Sequence, residues 1–300
     1  TIMAVLRPHR LLGFPMILHT ASSTDIHGWH ALADQILAGK PISVAQAEEV
    51  LDCDDVQLLE MIAAAYRLRH HYFGKTVQLY FLVNAKSGLC PEDCGYCSQS
   101  KLSTAPIDKY RMLSVDQLLD GARVAAERES KTYCIVISGR SPSEREMNAL
   151  ETVVPRVKQE FDLKICACLG LLTPENAARL KACGVDRVNH NTSEEHYAEI
   201  CSTHTYADRM NTLKNVRSAG LELCSGGIIG MGQSHRDLVA MAMDLRDLQV
   251  ESIPLNFLHA IEGTPLETQA ELTPQGCLRA LCMMRFVNPS TELRIAGGRE

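Results

Sequence analysis

From Val77 onward the chain alternates short apolar, β-branched runs with longer segments whose apolar residues recur at helical spacing. The runs 77-VQLYFLV-83, 132-TYCIVIS-138, 164-KICACLG-170, 187-RVNHN-191, 222-ELCSGGIIG-230, 252-SIPLNFL-258 and 292-ELRIAG-297 read as strands. Between them, 114–129, 142–160, 173–183, 194–219 with an interruption, 234–248 and 273–286 read as helices. Ser114, Thr173-Pro174 and Thr273-Pro274 supply cap and first-turn chemistry. Residues 25–75 read as helical throughout. Asp25 caps a first helix from Trp29 to Leu37, closed by Gly39-Lys40-Pro41, and Ser43 opens a second reaching Val50. The third, 57-QLLEMIAAAYRLRHHYF-73, is apolar at helical spacing.

Strands alternating with helices imply βαβ units and a parallel sheet. Seven units are one short of a (β/α)8 TIM-type barrel. An open doubly wound sheet is the alternative, but its nucleotide fingerprint is missing after the first strand. Gly230-Met231-Gly232 does not continue as G-x-G-x-x-G. The expected fold is therefore α/β, a TIM-type barrel over 76–300 preceded by helices over 25–75, with 1–24 a disordered extension.

In such a barrel, function gathers at the C-terminal ends of the strands. Cysteines and polar groups fall there repeatedly: Cys90 to Cys97, Cys134, Cys166, Asn189, Asn191, Cys224, Asn256 and Arg294. Composition narrows the partners. A net charge of −6 with no Lys/Arg cluster argues against nucleic acid and for a small-molecule substrate. No apolar run approaches the ~20 residues a membrane span needs. The apolar start, 1-TIMAVLRPHRLLGFPMILHT-20, is interrupted by Pro8 and Pro15 and shows no clean cleavage site. Twelve cysteines in a chain with a full helix and strand pattern imply a reducing, cytoplasmic setting, with some thiols holding metal and others filling core positions.

The stretch 88-GLCPEDCGYCSQS-100 sets Cys90, Cys94 and Cys97 in a C-x3-C-x2-C pattern. A structural zinc site wants four ligands, usually as two separated pairs. Three thiolates instead suit a [4Fe–4S] cluster with one iron left open for a substrate or cofactor. A redox loop or a partial zinc site are the blander readings.

With Tyr96 before its last cysteine, this loop resembles the radical S-adenosylmethionine superfamily. More narrowly, 86-KSGLCPEDCGYCSQS-100 resembles the biotin synthase family, as do 189-NHN-191, 223-LCSGGIIGMG-232, 253-IPLNFL-258, 263-GTPL-266 and 293-LRIAGGRE-300. The resemblance runs from about residue 25 to the end. It implies that Cys90, Cys94 and Cys97 hold the [4Fe–4S] cluster and that its open iron binds S-adenosylmethionine. Reductive cleavage there would give a 5′-deoxyadenosyl radical. It also implies a [2Fe–2S] cluster on Cys134, Cys166, Cys224 and Arg294, the sulfur source for turning dethiobiotin into biotin. Tyr96 and Asn191 would then face the cofactor, and Asn189 and Asn256 the substrate. A homodimer and a flavodoxin- or ferredoxin-type electron donor are implied as well.

Cys168 shares a strand face with Cys166 by period two and competes for its ligand position. Cys53, Cys183, Cys201, Cys277 and Cys282 read as small buried hydrophobes, and His190 as structural. Lys86 and Arg299 match the family without an assigned role. Two departures stand out. The loop 189-NHNTSEE-195 lacks two residues where the family faces the cofactor ribose, keeping only a cap at Thr192 or Ser193. The family pattern also continues past Glu300 with a loop, a helix and an eighth strand, so the expected barrel is one unit short. Another radical reaction on the same fold, or a non-catalytic iron–sulfur protein, are the competing readings.

Overall fold

The computed structural model describes residues 28–191, 196–270 and 272–296. The expected cap at Asp25, the extension 1–24, the caps Thr192 and Ser193, and Arg299 lie outside the described residues. Three helices lead: α1 (Gly28–Leu37), α2 (Val44–Leu51) and α3 (Leu58–Phe73). Ser43 caps α2 in a full capping box with Gln46. α2 packs against α9 (His235–Asp247) and α10 (Pro274–Val287), α3 against α10, and α1 against α3, and one apolar core runs from Leu32 through Met61 to Met284.

Seven parallel strand positions follow. β1 (Tyr80–Lys86), β2 (Thr132–Ile137), β3 (Lys164–Cys168) and β4 (Arg187–Asn189) pair in sequence order. The expected fifth strand is two pieces, β5 (Glu222–Cys224) and β6 (Gly227–Ile229), both on β7 (Ser252–Phe257), which in turn pairs with β8 (Glu292–Ile295). Pro254 causes the split. It donates no ladder hydrogen bond, and its carbonyl comes so close to Gly226 that a Cβ there would lie 2.0 Å from the oxygen. Pairing stops at Cys224↔Ser252 and resumes at Gly227↔Leu255.

Outer helices α4 (Val115–Glu127), α5 (Glu144–Glu160), α6 (Pro174–Cys183), α8 (Tyr206–Ser218), α9 and α10 alternate with the strands, and a short α7 (Tyr197–Ile200) precedes α8. The interrupted helix expected over 194–219 is thus two helices, separated where Cys201 leaves the helix in extended backbone. β1 begins three residues later than expected: its register with β2 starts at Tyr80↔Thr132, and before it the Leu79 carbonyl accepts from the Lys131 amide at 2.8 Å.

β1 pairs only with β2, and β8 only with β7, among the described residues. The sheet curls into a partial barrel all the same, since side chains bridge the two edges. The Tyr80 hydroxyl donates to Glu292 at 2.7 Å, and the Arg294 guanidinium lies 4.3 Å from the Tyr80 ring centre. No helix of the described residues is long and apolar enough to cross a membrane.

Candidate active site

The period-two alternation of the strands sets the inward residues in layers. On β5 and β8, Glu222 and Glu292 stand one inward step before Cys224 and Arg294, while Arg187 on β4 is the register partner of Cys166 and reaches back to both carboxylates. Cys134 and Cys166 are direct register partners, and Cys224 stands beside Asn189 on the neighbouring strand. The three thiols form a small buried cluster of their own, with Tyr80 packed on it.

Hydrogen bonds to Cys134 and Cys224, together with burial, push the Cys166 thiol well up. The same Cys166 bonds hold Cys134 and Cys224 low against burial, helped by the Arg294 charge. Of the three, Cys166 is thus held up and Cys134 and Cys224 are drawn down, Cys224 to about 5. Arg294 Nη2 lies 2.9 Å from Cys224 Sγ and Asn189 Nδ2 3.2 Å from it. Burial opposes the Arg294 charge, but attraction to the Cys224 and Cys134 sulfurs outweighs it and holds its pKa above the ordinary value.

Above this layer opens a cavity of about 790 Å³, lined by Cys134, Cys168, Asn189, Asn191, Asn256 and Arg294 among others. Asn191 Oδ1 and Arg294 Nε are buried there with no hydrogen-bond partner among the described residues. Such orphaned groups, beside three thiols and a guanidinium, fit a bound polar guest and a sulfur-ligated metal group. The structure brings Cys166 into the thiol cluster and leaves Cys168 on the cavity wall, pushed up to about 12 by burial. His190 is buried, and burial holds its imidazole well below the usual histidine range, so it stays neutral.

The three-cysteine loop follows β1. Gly88 and Leu89, both in the left-handed region, turn the chain into Cys90. The Cys97 amide donates to the Cys94 carbonyl at 3.1 Å in a tight turn, while the Cys94 sulfur faces Cys201 at 3.7 Å and the three loop thiols do not converge as one ligand group. The Gly95 amide is tied to Ile200 at 2.9 Å, and the Gly95 carbonyl accepts from Leu266 of 263-GTPL-266 at 3.2 Å. Burial raises the thiols of Cys90 and Cys97, and pushes Cys94 up to about 12. Burial likewise pushes Tyr96 up to about 12; it packs against the apolar cluster of Cys94, Tyr197, Ile200, Cys201 and Met231. Lys86, at the end of β1, meets the buried Glu146 of the first turn of α5 at 2.8 Å.

Two groups escaped the sequence reading. One is the ion-pair layer of Arg187, Glu222 and Glu292. Its signal was present as charges inside 187-RVNHN-191 and 292-ELRIAG-297, runs otherwise expected to be apolar. The other is Cys201 with His204, beside Cys94.

A parallel partial barrel with a three-thiol loop after its first strand defines a radical S-adenosylmethionine enzyme. The profile described as "Radical SAM superfamily" matches residues 86–245, and that of the "Biotin and Thiamin Synthesis associated domain" matches 254–300. Methylornithine synthase superposes with a TM-score of 0.79 at 18% identity, over 87% of this chain and 78% of that one. The FeFe-hydrogenase maturase HydG from Carboxydothermus hydrogenoformans gives 0.77 at 18% identity, over 91% and 66%. At such identity these two show the fold alone.

The biotin synthase of Rhodopirellula baltica is 61% identical, over 95% of this chain and 81% of its own length. That of Bacillus subtilis is 51% identical, over 91% and 82%. The chain belongs to the biotin synthase family. It is a sulfurtransferase that inserts sulfur into dethiobiotin, using a [4Fe–4S] cluster, a [2Fe–2S] cluster, S-adenosylmethionine and an external reductant.

Proposed function

We propose that Cys90, Cys94 and Cys97 hold the [4Fe–4S] cluster and that Cys134, Cys166, Cys224 and Arg294 hold the [2Fe–2S] cluster. The observation that carries the second assignment is the meeting of four residues from β2, β3, β5 and β8 in one buried layer, with Arg294 Nη2 2.9 Å from Cys224 Sγ. The burial of Cys166 within that layer favours it over Cys168. When bound, the clusters and S-adenosylmethionine supply the 5′-deoxyadenosyl radical and the sulfur atom.

The remaining work falls to this chain's own side chains. Asn189 and Asn256 offer donor and acceptor to the ureido ring of dethiobiotin, and Asn191, whose Oδ1 has no partner among the described residues, faces the cofactor with Tyr96. Arg294 is held between Cys224 Sγ and the Tyr80 ring, which keeps the guanidinium against the sulfur layer.

The reductant is of flavodoxin or ferredoxin type, the setting cytoplasmic and the assembly a homodimer; sedimentation velocity at micromolar concentration tests the last. The assay that decides the reading is anaerobic reconstitution with iron and sulfide, then reduction and addition of S-adenosylmethionine with and without dethiobiotin. 5′-Deoxyadenosine and biotin appearing together, both dependent on dethiobiotin and both lost in Cys94→Ala, support it. Deoxyadenosine without biotin in the unaltered chain, or neither product although iron is bound, sinks it.

A further inference from the structure

Three donor groups meet beside the three-cysteine loop in a combination that sulfur insertion does not call for. Cys94 Sγ lies 3.7 Å from Cys201 Sγ. Cys201 Sγ in turn lies 3.3 Å from Nδ1 and 3.9 Å from Nε2 of His204. The candidate ligand atoms all fall within 4.8 Å of one another, and the three residues are almost wholly shielded from solvent. We propose that Cys94, Cys201 and His204 form a separate site for one soft divalent ion, Zn2+, which competes with the iron–sulfur cluster for Cys94.

The spacing suits that ion. Zinc–sulfur bonds of about 2.3 Å and zinc–nitrogen bonds of about 2.0–2.1 Å in a tetrahedron separate two sulfurs by about 3.8 Å, and sulfur from nitrogen by about 3.5 Å. The sulfurs at 3.7 Å already match, and Nε2, 3.9 Å from Cys201 Sγ, has to move in by a few tenths of an ångström. The histidine is also oriented as metal sites require. Its Nδ1 meets the buried Glu92 carboxylate in a short contact, which leaves the Nε2 lone pair for an ion. A carboxylate behind a histidine is the usual outer partner of a zinc ligand.

Arg209 Nη2 at 2.9 Å and the Tyr197 hydroxyl at 3.1 Å now hold that nitrogen, and an ion would displace both. Arg209 would keep the Asn191 carbonyl at 2.8 Å and its place 4.1 Å above the Tyr197 ring. Two thiolates and Glu92 offset the charges of the ion and of Arg209. Binding releases both thiol protons, one Zn2+ replacing two S–H hydrogens, and the fourth position is left to water. The site stands on its own geometry, whereas the competition rests on Cys94 also being a cluster ligand.

The test uses the whole chain, iron-free, reduced and anaerobic. Co2+ titration reads coordination through thiolate charge-transfer and tetrahedral ligand-field bands, and a chromophoric chelator measures Zn2+ affinity. One equivalent of tetrahedral Co2+ is expected. Cys201→Ser and His204→Gln should each weaken Zn2+ by about 100-fold or more, and Glu92→Gln by about 10–100-fold, as outer-shell losses do. Cys90→Ser and Cys97→Ser should leave the affinity unchanged. Circular dichroism checks that each variant is folded, with Cys201→Ala as a second version. If Cys90→Ser or Cys97→Ser abolishes binding and Cys201→Ser does not, the ion sits on the loop alone and the proposal fails. It fails equally if the unaltered chain binds no tighter than Cys94→Ser. For the competition, Zn2+ loading should block four-iron cluster uptake in the unaltered chain but not in Cys201→Ser. Equal blocking in both overturns it.

Discussion

Replacing Arg187 by methionine removes the centre of the charged layer while keeping side-chain length. Arg187 is 1% exposed, and its guanidinium donates to Glu222 at 2.9 Å, to Glu292 at 2.8 Å and to the Tyr80 hydroxyl at 3.0 Å. Breaking a buried pair from one side costs about 3–5 kcal/mol, because the partner's charge is stranded. Here the stranded carboxylates are 34% and 28% exposed and Glu222 keeps Lys164 at 3.0 Å, which lowers the expected cost. The loss at pH 7 should therefore be about 2–3 kcal/mol. With a urea slope of about 3 kcal/mol/M for a chain of this size, the unfolding midpoint of the metal-free protein falls by about 1 M.

The sign with pH follows from the carboxylates. Burial opposes the charges of Glu222 and Glu292, but the Arg187 hydrogen bonds outweigh it and hold both below the usual carboxylate range. Their contribution is present above the unfolded value of about 4.3 and is lost as pH falls through the lower folded values. The gap between the unaltered chain and Arg187→Met should therefore be widest near neutrality and close in acid. Urea midpoints measured at several pH values check this. A neutral-pH shift under about 0.3 M, or a gap that stays constant down to pH about 3, would refute the reasoning.

Cys166→Ser should abolish the absorbance of the [2Fe–2S] cluster after reconstitution and Cys168→Ser should retain it; the reverse outcome moves the ligand to Cys168. Tyr80→Leu removes the ring under Arg294, a contact worth about 1–2 kcal/mol when desolvated, so that cluster content should fall, while Tyr80→Phe keeps the ring and the cluster. Equal losses from both variants would assign the effect to the hydroxyl and its Glu292 partner. Gly226→Ala puts a methyl against the Pro254 carbonyl, a backbone atom that cannot step aside, and should lower the melting temperature by several degrees; an unchanged scan would show that β5 and β6 can separate from β7 there.

The helices were legible because their ends are written locally. Ser43, Ser114, Thr173 and Thr273 each cap as expected, since a cap depends on residues three positions apart. Strand limits were less so. Val77 to Leu79 carry strand residues, yet whether they pair depends on β2, which begins its register with Tyr80↔Thr132. The split between β5 and β6 was hidden for a similar reason, because its cause, Pro254, lies on a different strand. The site shows the same division. The three-cysteine loop is contiguous and was read at once, and the inward cysteines followed from period two and the family resemblance. Cys201 was read as a core residue, because only the fold carries it to Cys94, more than a hundred positions away in sequence.

Barrel interiors are ordinarily filled with branched aliphatic side chains. Below its thiol layer this one carries Arg187, Glu222, Glu292 and the Tyr80 hydroxyl, a choice that costs desolvation and is weak as a source of stability. What it provides is position. β1 and β8 share no ladder hydrogen bonds among the described residues, so an aliphatic filling would leave their spacing to non-directional contact. Glu292 on β8 accepts from Tyr80 on β1 and from Arg187 on β4, which fixes β8 at two points. Two residues later on the same strand, Arg294 must meet Cys224 and stack on that same Tyr80 ring. A shift of β8 by one residue would turn both Glu292 and Arg294 out of the interior. The buried charges therefore set the register of the strand that carries the Arg294 guanidinium into the thiol layer, a task that apolar side chains could not perform as directionally.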